Sequence, residues 1–295
     1  MTSIRLALLA AAASFTLMGA ASAQPVPSTA DVSKQRVFAN LGLTNSECIR
    51  YDAANDRYII SNLNTRGPEN NGYISLMSPD GAITNLKFIE GGKNGATLID
   101  PLGIYIQNDM IWVADITHMR KFDLKTGAPR GEVALPGANR PNDIFVTKDG
   151  TAYISDNGGT AGTIIRVSPS GQVSLVHPRD DIMEKPNGVA VMPDGTLIHA
   201  GRGVNISFRN AQTGQLIKEK SLPTAQFDAL IPLADGSILA ASQVGKNVYK
   251  VSPMGEITEV AKEIAIPAAI GYDIKRNRLL IPQIAPGTIT MVDLP

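Results

Sequence analysis

The stretch Arg140-Pro-Asn-Asp-Ile-Phe-Val-Thr-Lys-Asp-Gly-Thr-Ala-Tyr-Ile-Ser-Asp156 recurs as Lys185-Pro-Asn-Gly-Val-Ala-Val-Met-Pro-Asp-Gly-Thr-Leu-Ile-His199. A third copy runs Gln226-Phe-Asp-Ala-Leu-Ile-Pro-Leu-Ala-Asp-Gly-Ser-Ile-Leu-Ala240. Each is a polar turn, an apolar strand, an Asp-Gly hairpin turn and a second strand. Divergent copies occupy 46–60, 100–113 and 268–281. The aligned positions Glu47, Leu102, Asn142, Asn187, Asp228 and Ala268 are 55, 40, 45, 41 and 40 residues apart. A period of about 40–45 residues is one four-stranded propeller blade. The spacing therefore predicts an all-β fold, a six-bladed β-propeller.

Working outward, each repeat continues into a second hairpin, clearest at 162–176 and 247–260. Ser-Pro-x-Gly tetrads at 78–81, 168–171 and 252–255 supply outer turns, with Pro fixing φ and Gly accepting a positive one. After Ala268 only 27 residues remain, enough for three strands near 269–274, 278–283 and 287–293. The last blade thus lacks its outermost strand. Lys34-Gln-Arg-Val-Phe-Ala39, ahead of the first repeat, is the expected donor, which would close the ring and remove an open edge.

The propeller domain is expected over 24–295. Residues 1–23 read as a signal peptide: Arg5, an apolar run from Leu6, and Ala21-Ser22-Ala23 before Gln24. A soluble, exported protein follows, periplasmic or secreted, with no membrane attachment once the signal is removed. The chain has 27 Lys+Arg against 27 Asp+Glu, which gives no basic field for nucleic acid. A single cysteine, Cys48, excludes an intrachain disulfide and any Cys-based metal site; in an oxidising compartment it should be buried. A monomer is expected.

In a propeller the innermost strands start at one face, so the six aligned positions share a funnel mouth. Four bear oxygen: Glu47, Asn142, Asn187 and Asp228. Two carboxylates and two amide carbonyls suit a divalent cation, calcium before magnesium or manganese, and leave positions for water and substrate. A lone Pro-Asn turn is ordinarily structural. The coincidence of four donors at one register is what points to a metal, with a solvated polar funnel as the alternative. Around them, Asn62, Asp115, His118, Asp156, Arg202 and Gln243 fall on loops expected at the same face. Trp112 reads as filler between blades, and His177 and His199 as structural. The Gly-rich 158–162 stretch lacks a Walker-type Lys and follows no strand–helix pattern, so it gives only weak support to nucleotide binding.

Glu in the first blade, Arg140-x-Asn142-Asp143 in the third, Pro186-Asn187-Gly188 in the fourth and Asp228 in the fifth resemble the gluconolactonase and senescence-marker-protein (regucalcin) family. The diisopropylfluorophosphatase type of calcium propeller is a close relative. The resemblance covers the mature chain in repeat architecture, but its motifs occupy four short stretches. It implies that Glu47, Asn187 and Asp228 are metal ligands, that Asn142 lies near or on the metal, and that Arg140 contacts substrate. The chain departs from the family at Glu47-Cys48-Ile49, where Glu-Gly-Pro is common. It departs again at Asn157–Gly162, where the sugar-lactone members carry a long substrate loop.

The resulting expectation is an exported metal-dependent hydrolase of a lactone or related ester, acting on a small molecule. Asp228 would activate water or attack, Arg140 and Asp143 would contact substrate beside Asn142, and His118 would serve either as a proton shuttle or as a plain loop residue. The alternative is a non-catalytic propeller that binds a ligand or protein, with a structural metal or none.

Overall fold

The computed structural model describes residues 30–65, 67–180, 183–285 and 287–294. Residues 1–23, read from sequence as an export signal, lie outside the described residues. Six four-stranded antiparallel sheets are arranged as the blades of a ring. Their inner strands are Ser46–Asp52, Pro101–Gln107, Pro141–Val146, Gly188–Val191, Phe227–Pro232 and Gly271–Asp273. Five blades are continuous in sequence. The sixth takes Gly271–Asp273, Arg278–Gln283 and Thr288–Asp293 from the C-terminal end and Gln35–Phe38 from the N-terminal end. The closing strand is thus the segment expected from the repeat count, two residues shorter than the sequence suggested.

That seam is held by backbone pairing of Gln35 with Val292 through Phe38 with Ile289. The Gln35 side chain adds two bonds, Nε2 donating to Lys262 O at 3.0 Å and Oε1 accepting from Lys262 N at 3.0 Å. Across the ring closure, Ala269 N donates to Glu47 O at 2.8 Å and Ile49 N to Ala269 O at 3.2 Å. Blades one and six are therefore joined at the axis, and the outer strand of blade six is tied to the end of blade five at the rim.

Alternation along the strands explains the packing between blades. Residues such as Ile59, Ile74, Ile104 and Val113 are wholly buried in one inter-blade cluster, each such side chain contributing roughly 1.5–3 kcal/mol. Trp112 fills the gap between blades two and three beside Ile144 and Ile154. The Asp-Gly pairs are hairpin turns: Asp149, Asp194 and Asp235 each accept from the backbone N–H two residues on, at 3.0, 2.9 and 2.9 Å. Near the axis the inner strands almost touch. A Cβ on Gly188 would lie 2.8 Å from Ala229 Cα, and one on Gly103 would lie 2.6 Å from Asn142 O. These two glycines allow neighbouring blades to converge. Cys48 is fully buried, and burial pushes its thiol up to about 12, so it is inert.

His199 is a buried core histidine. Its Nε2 accepts from Arg209 Nε at 2.9 Å, and burial, then the Arg209 charge, depress it from 6.5 to about 3. Between those values the unfolded chain binds a proton that the folded chain refuses, so stability falls as pH drops. The slope expected from this one group is about 1.4 kcal/mol per pH unit. A His199→Gln variant should lose that share of acid sensitivity; denaturant midpoints measured across the interval check it. No helix among the described residues is long and apolar enough to cross a membrane.

Candidate functional site

The aligned donors sit where the inner strands lose their regular register. Pairing with the second strand skips Glu47 in blade one, Asn142 and Asp143 in blade three, and Asp228 in blade five. Bulges re-aim side chains and commonly border functional sites. Asn187 lies one residue before its strand, with its N–H on Ala200 O at 2.8 Å. Two residues ahead of Glu47, Asn187 and Asp228 stand Asn45, Lys185 and Gln226, with φ of 52°, 52° and 56°. Left-handed backbone at three non-glycine residues in corresponding places is stored strain that fixes the entry of each inner strand.

Glu47, Asn142, Asn187 and Asp228 line one axial cavity of about 370 Å³. Leu102 and Ala268, the apolar members of the register, are buried and do not line it. Asn142 Oδ1, Asn187 Oδ1 and Asp228 Oδ1 are buried and accept no hydrogen bond. Buried acceptors without donors are costly. Three of them converging from three blades beside Glu47 are a donor set that fits a hard cation. Among the described residues there is no group of three or more His, Cys, Asp or Glu arranged for a metal; the set here is two carboxylates and two amides.

Electrostatics give the same picture. Asp228 is pushed well above the usual carboxylate range, first by burial, then by the charges of Glu47 and Asp143; Arg140 and the Asn187 amide pull it back in part. Gln243 Nε2 donates to Asp228 Oδ2 and fixes the carboxylate. The cavity rim is basic, with Arg140, Lys185 and Arg202 all lining it. Arg140 is exposed, and its loop is tied down by Asp156, which accepts from Asn139 N at 2.8 Å and Arg140 N at 2.7 Å.

Two expected substrate contacts are not at this cavity. Asp143 follows Asn142 in sequence, but its carboxylate points down the channel, accepting from Arg50 Nη2 at 3.1 Å, Ile144 N at 2.9 Å and Val189 N at 3.3 Å. His118 begins the third strand of blade two, away from the axis, and its Nδ1 lies 2.9 Å from Thr117 Oγ1. Neither lines the cavity. Of the loop candidates, Arg202 and Gln243 line it, whereas Asn62, Asp115 and Asp156 do not. Asp115 repeats the job of Asp156 one blade earlier, holding Ile99 N at 3.1 Å and Asp100 N at 2.6 Å.

Lys185 and Gln226 were not singled out from sequence, yet both line the cavity. The signal was present: Lys185-Pro186-Asn187 repeats Arg140-Pro141-Asn142, with a cation two residues before the amide. Arg50 was missed entirely. Its guanidinium, nine-tenths buried, closes the channel below the cavity and donates through Nη1 to Ile49 O at 3.0 Å and to Ala269 O and Ile270 O.

No protein-family model and no curated protein sequence matches the chain. Solved structures do. A gluconolactonase from Xanthomonas campestris superimposes with a TM-score of 0.69 at 18% identity, covering 94% of this chain and 99% of that one. A luciferin-regenerating enzyme gives 0.64 at 14% identity, covering 88% and 95%. Virginiamycin B lyase from Staphylococcus aureus gives 0.59 at 16%, covering 89% and 99%. At these identities the likeness is one of fold. The architecture is that of gluconolactonase-like six-bladed propellers, and the structures it resembles carry lactonase and lyase names alike.

Proposed function

We propose that the axial cavity holds a divalent cation, calcium by the hardness of its donors, and with it binds a small anionic or polyhydroxylated ligand. The observation that carries this reading is the set of three orphaned buried oxygens, from Asn142, Asn187 and Asp228, converging beside Glu47. When bound, the cation supplies charge neutralisation for the carboxylates and Lewis-acid polarisation of a ligand oxygen. The chain's own residues do the rest. Glu47, Asn142, Asn187 and Asp228 hold the ion; Gln243 orients Asp228; Arg140, Lys185 and Arg202 attract and orient an anionic or hydroxylated group at the rim.

Binding stands ahead of catalysis because His118 and Asp143, the groups expected to assist Arg140, are directed elsewhere. A second reading, hydrolysis of a lactone or related ester, is favoured by one observation: Asp228 is buried in the cavity, held by Gln243 and partly compensated by Arg140. A carboxylate in that setting is placed to take a proton from attacking water. The export reading of residues 1–23 belongs to the same proposal and places the protein in the periplasm or outside the cell.

The test is a melt in chelator, repeated with calcium, magnesium and manganese, alongside a panel of small lactones and esters. Calcium at about a hundred times its dissociation constant should add about 2.7 kcal/mol of stability. If none of the three ions shifts the melting temperature, the cation reading fails. Lactone or ester turnover that chelator abolishes would establish the hydrolase; a calcium shift without turnover would leave a ligand-binding propeller.

A further inference from the structure

The channel has a second chamber, at the end away from the cation cavity. It has a volume of about 210 Å³, is lined from all six blades, and includes the side chains three or four residues beyond the funnel register. The chain contains 7 Phe, 7 Tyr and 1 Trp in 295 residues. Four of them, Tyr51, Tyr105, Phe145 and Tyr272, gather here. Tyr105 and Phe145 face each other with centroids 4.6 Å apart, tilted by 48°. Aliphatic wall is added by Ile231 and Leu230. No acidic side chain lines the chamber, and its one charged lining group is Arg50.

Arg50 is the roof. It is nine-tenths buried, its Nη1 is spent on backbone carbonyls, and its Nη2 donates to Asp143 on the funnel side. Its Nε is buried and has no acceptor. The Tyr105 hydroxyl makes no hydrogen bond to any described residue and lies within electrostatic reach of Arg50. By contrast, Tyr51 and Tyr272 direct their hydroxyls away, onto Asp56 Oδ1 at 2.9 Å and Asn277 Oδ1 at 2.7 Å. The chamber therefore presents flat aromatic walls, a guanidinium with an unfilled donor and one free phenol. Small-molecule sites have this make-up, mostly apolar with a few polar groups that fix orientation. The volume is below that of sites for drug-sized ligands, so the occupant is fragment-sized.

We propose that this lower chamber binds a small aryl carboxylate, its ring packed against the aromatic side chains and its carboxylate directed at Arg50 and the Tyr105 hydroxyl. A carboxylate suits the one N–H that the guanidinium has left unfilled, Nε, through a charge-assisted bond, and an aromatic ring gains both area burial and ring–ring contact. The site is separate from the cation cavity and rests on different residues.

Phenylacetate is the probe, with phenylacetamide as its neutral counterpart, titrated by calorimetry into the full-length folded protein with chelator present. Failure here would therefore leave the cation reading standing. Phenylacetate should bind and the amide should bind at least about tenfold more weakly, since a charge-assisted bond is lost. Tyr105→Phe should weaken phenylacetate at least about tenfold, one hydrogen bond to a charged acceptor, and Ile231→Trp, which fills the chamber, should abolish binding. Should the larger variant misfold by circular dichroism, Tyr105→Phe decides alone. Absence of phenylacetate binding at several millimolar, equal binding of the amide, or affinity unmoved in Tyr105→Phe would each overturn the proposal.

Discussion

Asp228→Asn should act with opposite signs on the two states of the protein. In the cation-loaded form, loss of one of two ligand carboxylates should weaken calcium by at least about a hundredfold, since even outer-shell changes at metal sites cost 10–100-fold. In chelator, the same variant should be more stable than the parent. Asp228 is almost fully buried, and burial together with the Glu47 and Asp143 charges opposes its ionisation. Replacing it with a neutral isostere removes that cost, by analogy with buried ion groups whose neutral replacement gains on the order of 1–4 kcal/mol. Paired melts with and without calcium read both effects. A variant less stable than the parent in chelator would mean that the protein itself already satisfies the carboxylate, and the case for a cation would collapse.

The largest loss of stability is expected at Arg50. This side chain joins three backbone carbonyls near the ring closure to the Asp143 carboxylate. Arg50→Met leaves Asp143 buried and unpaired, which costs about 3–5 kcal/mol. Arg50→Met with Asp143→Leu should recover a large part of that loss, because the second change removes the stranded charge. Chemical denaturation of the two single variants and the double variant forms the cycle. Near-additive losses would show that the pair is not coupled.

These two residues also mark how far the sequence could be read. Blade number, the closing strand and the Asp-Gly turns were legible because each repeat is one supersecondary unit, and its period survives divergence. That Glu47, Asn142, Asn187 and Asp228 line one cavity was legible for the same reason: equal positions in equal blades converge on the axis. What the repeat could not convey is side-chain direction at a bulge. Asn142 and Asp143 are consecutive, and both looked like funnel residues; the irregular pairing sends one up to the cavity and the other down to Arg50. Nor does a linear pattern disclose a partnership across 93 residues between Arg50 and Asp143. His118 occupied a loop at the expected face, but it starts a third strand, and radial distance from the axis is invisible to spacing along the chain. The lower chamber was hidden by scarcity: aromatics spread singly over different blades form no motif until the ring brings them together.

The joining of Gln35–Phe38 to Thr288–Asp293 has a bearing on biosynthesis. Among the described strands, the earliest to leave the ribosome waits for the latest, and until Thr288–Asp293 has emerged the ring cannot close. Nascent product would remain open along one side throughout translation. A C-terminal truncation of even one strand would leave that waiting segment without its mate.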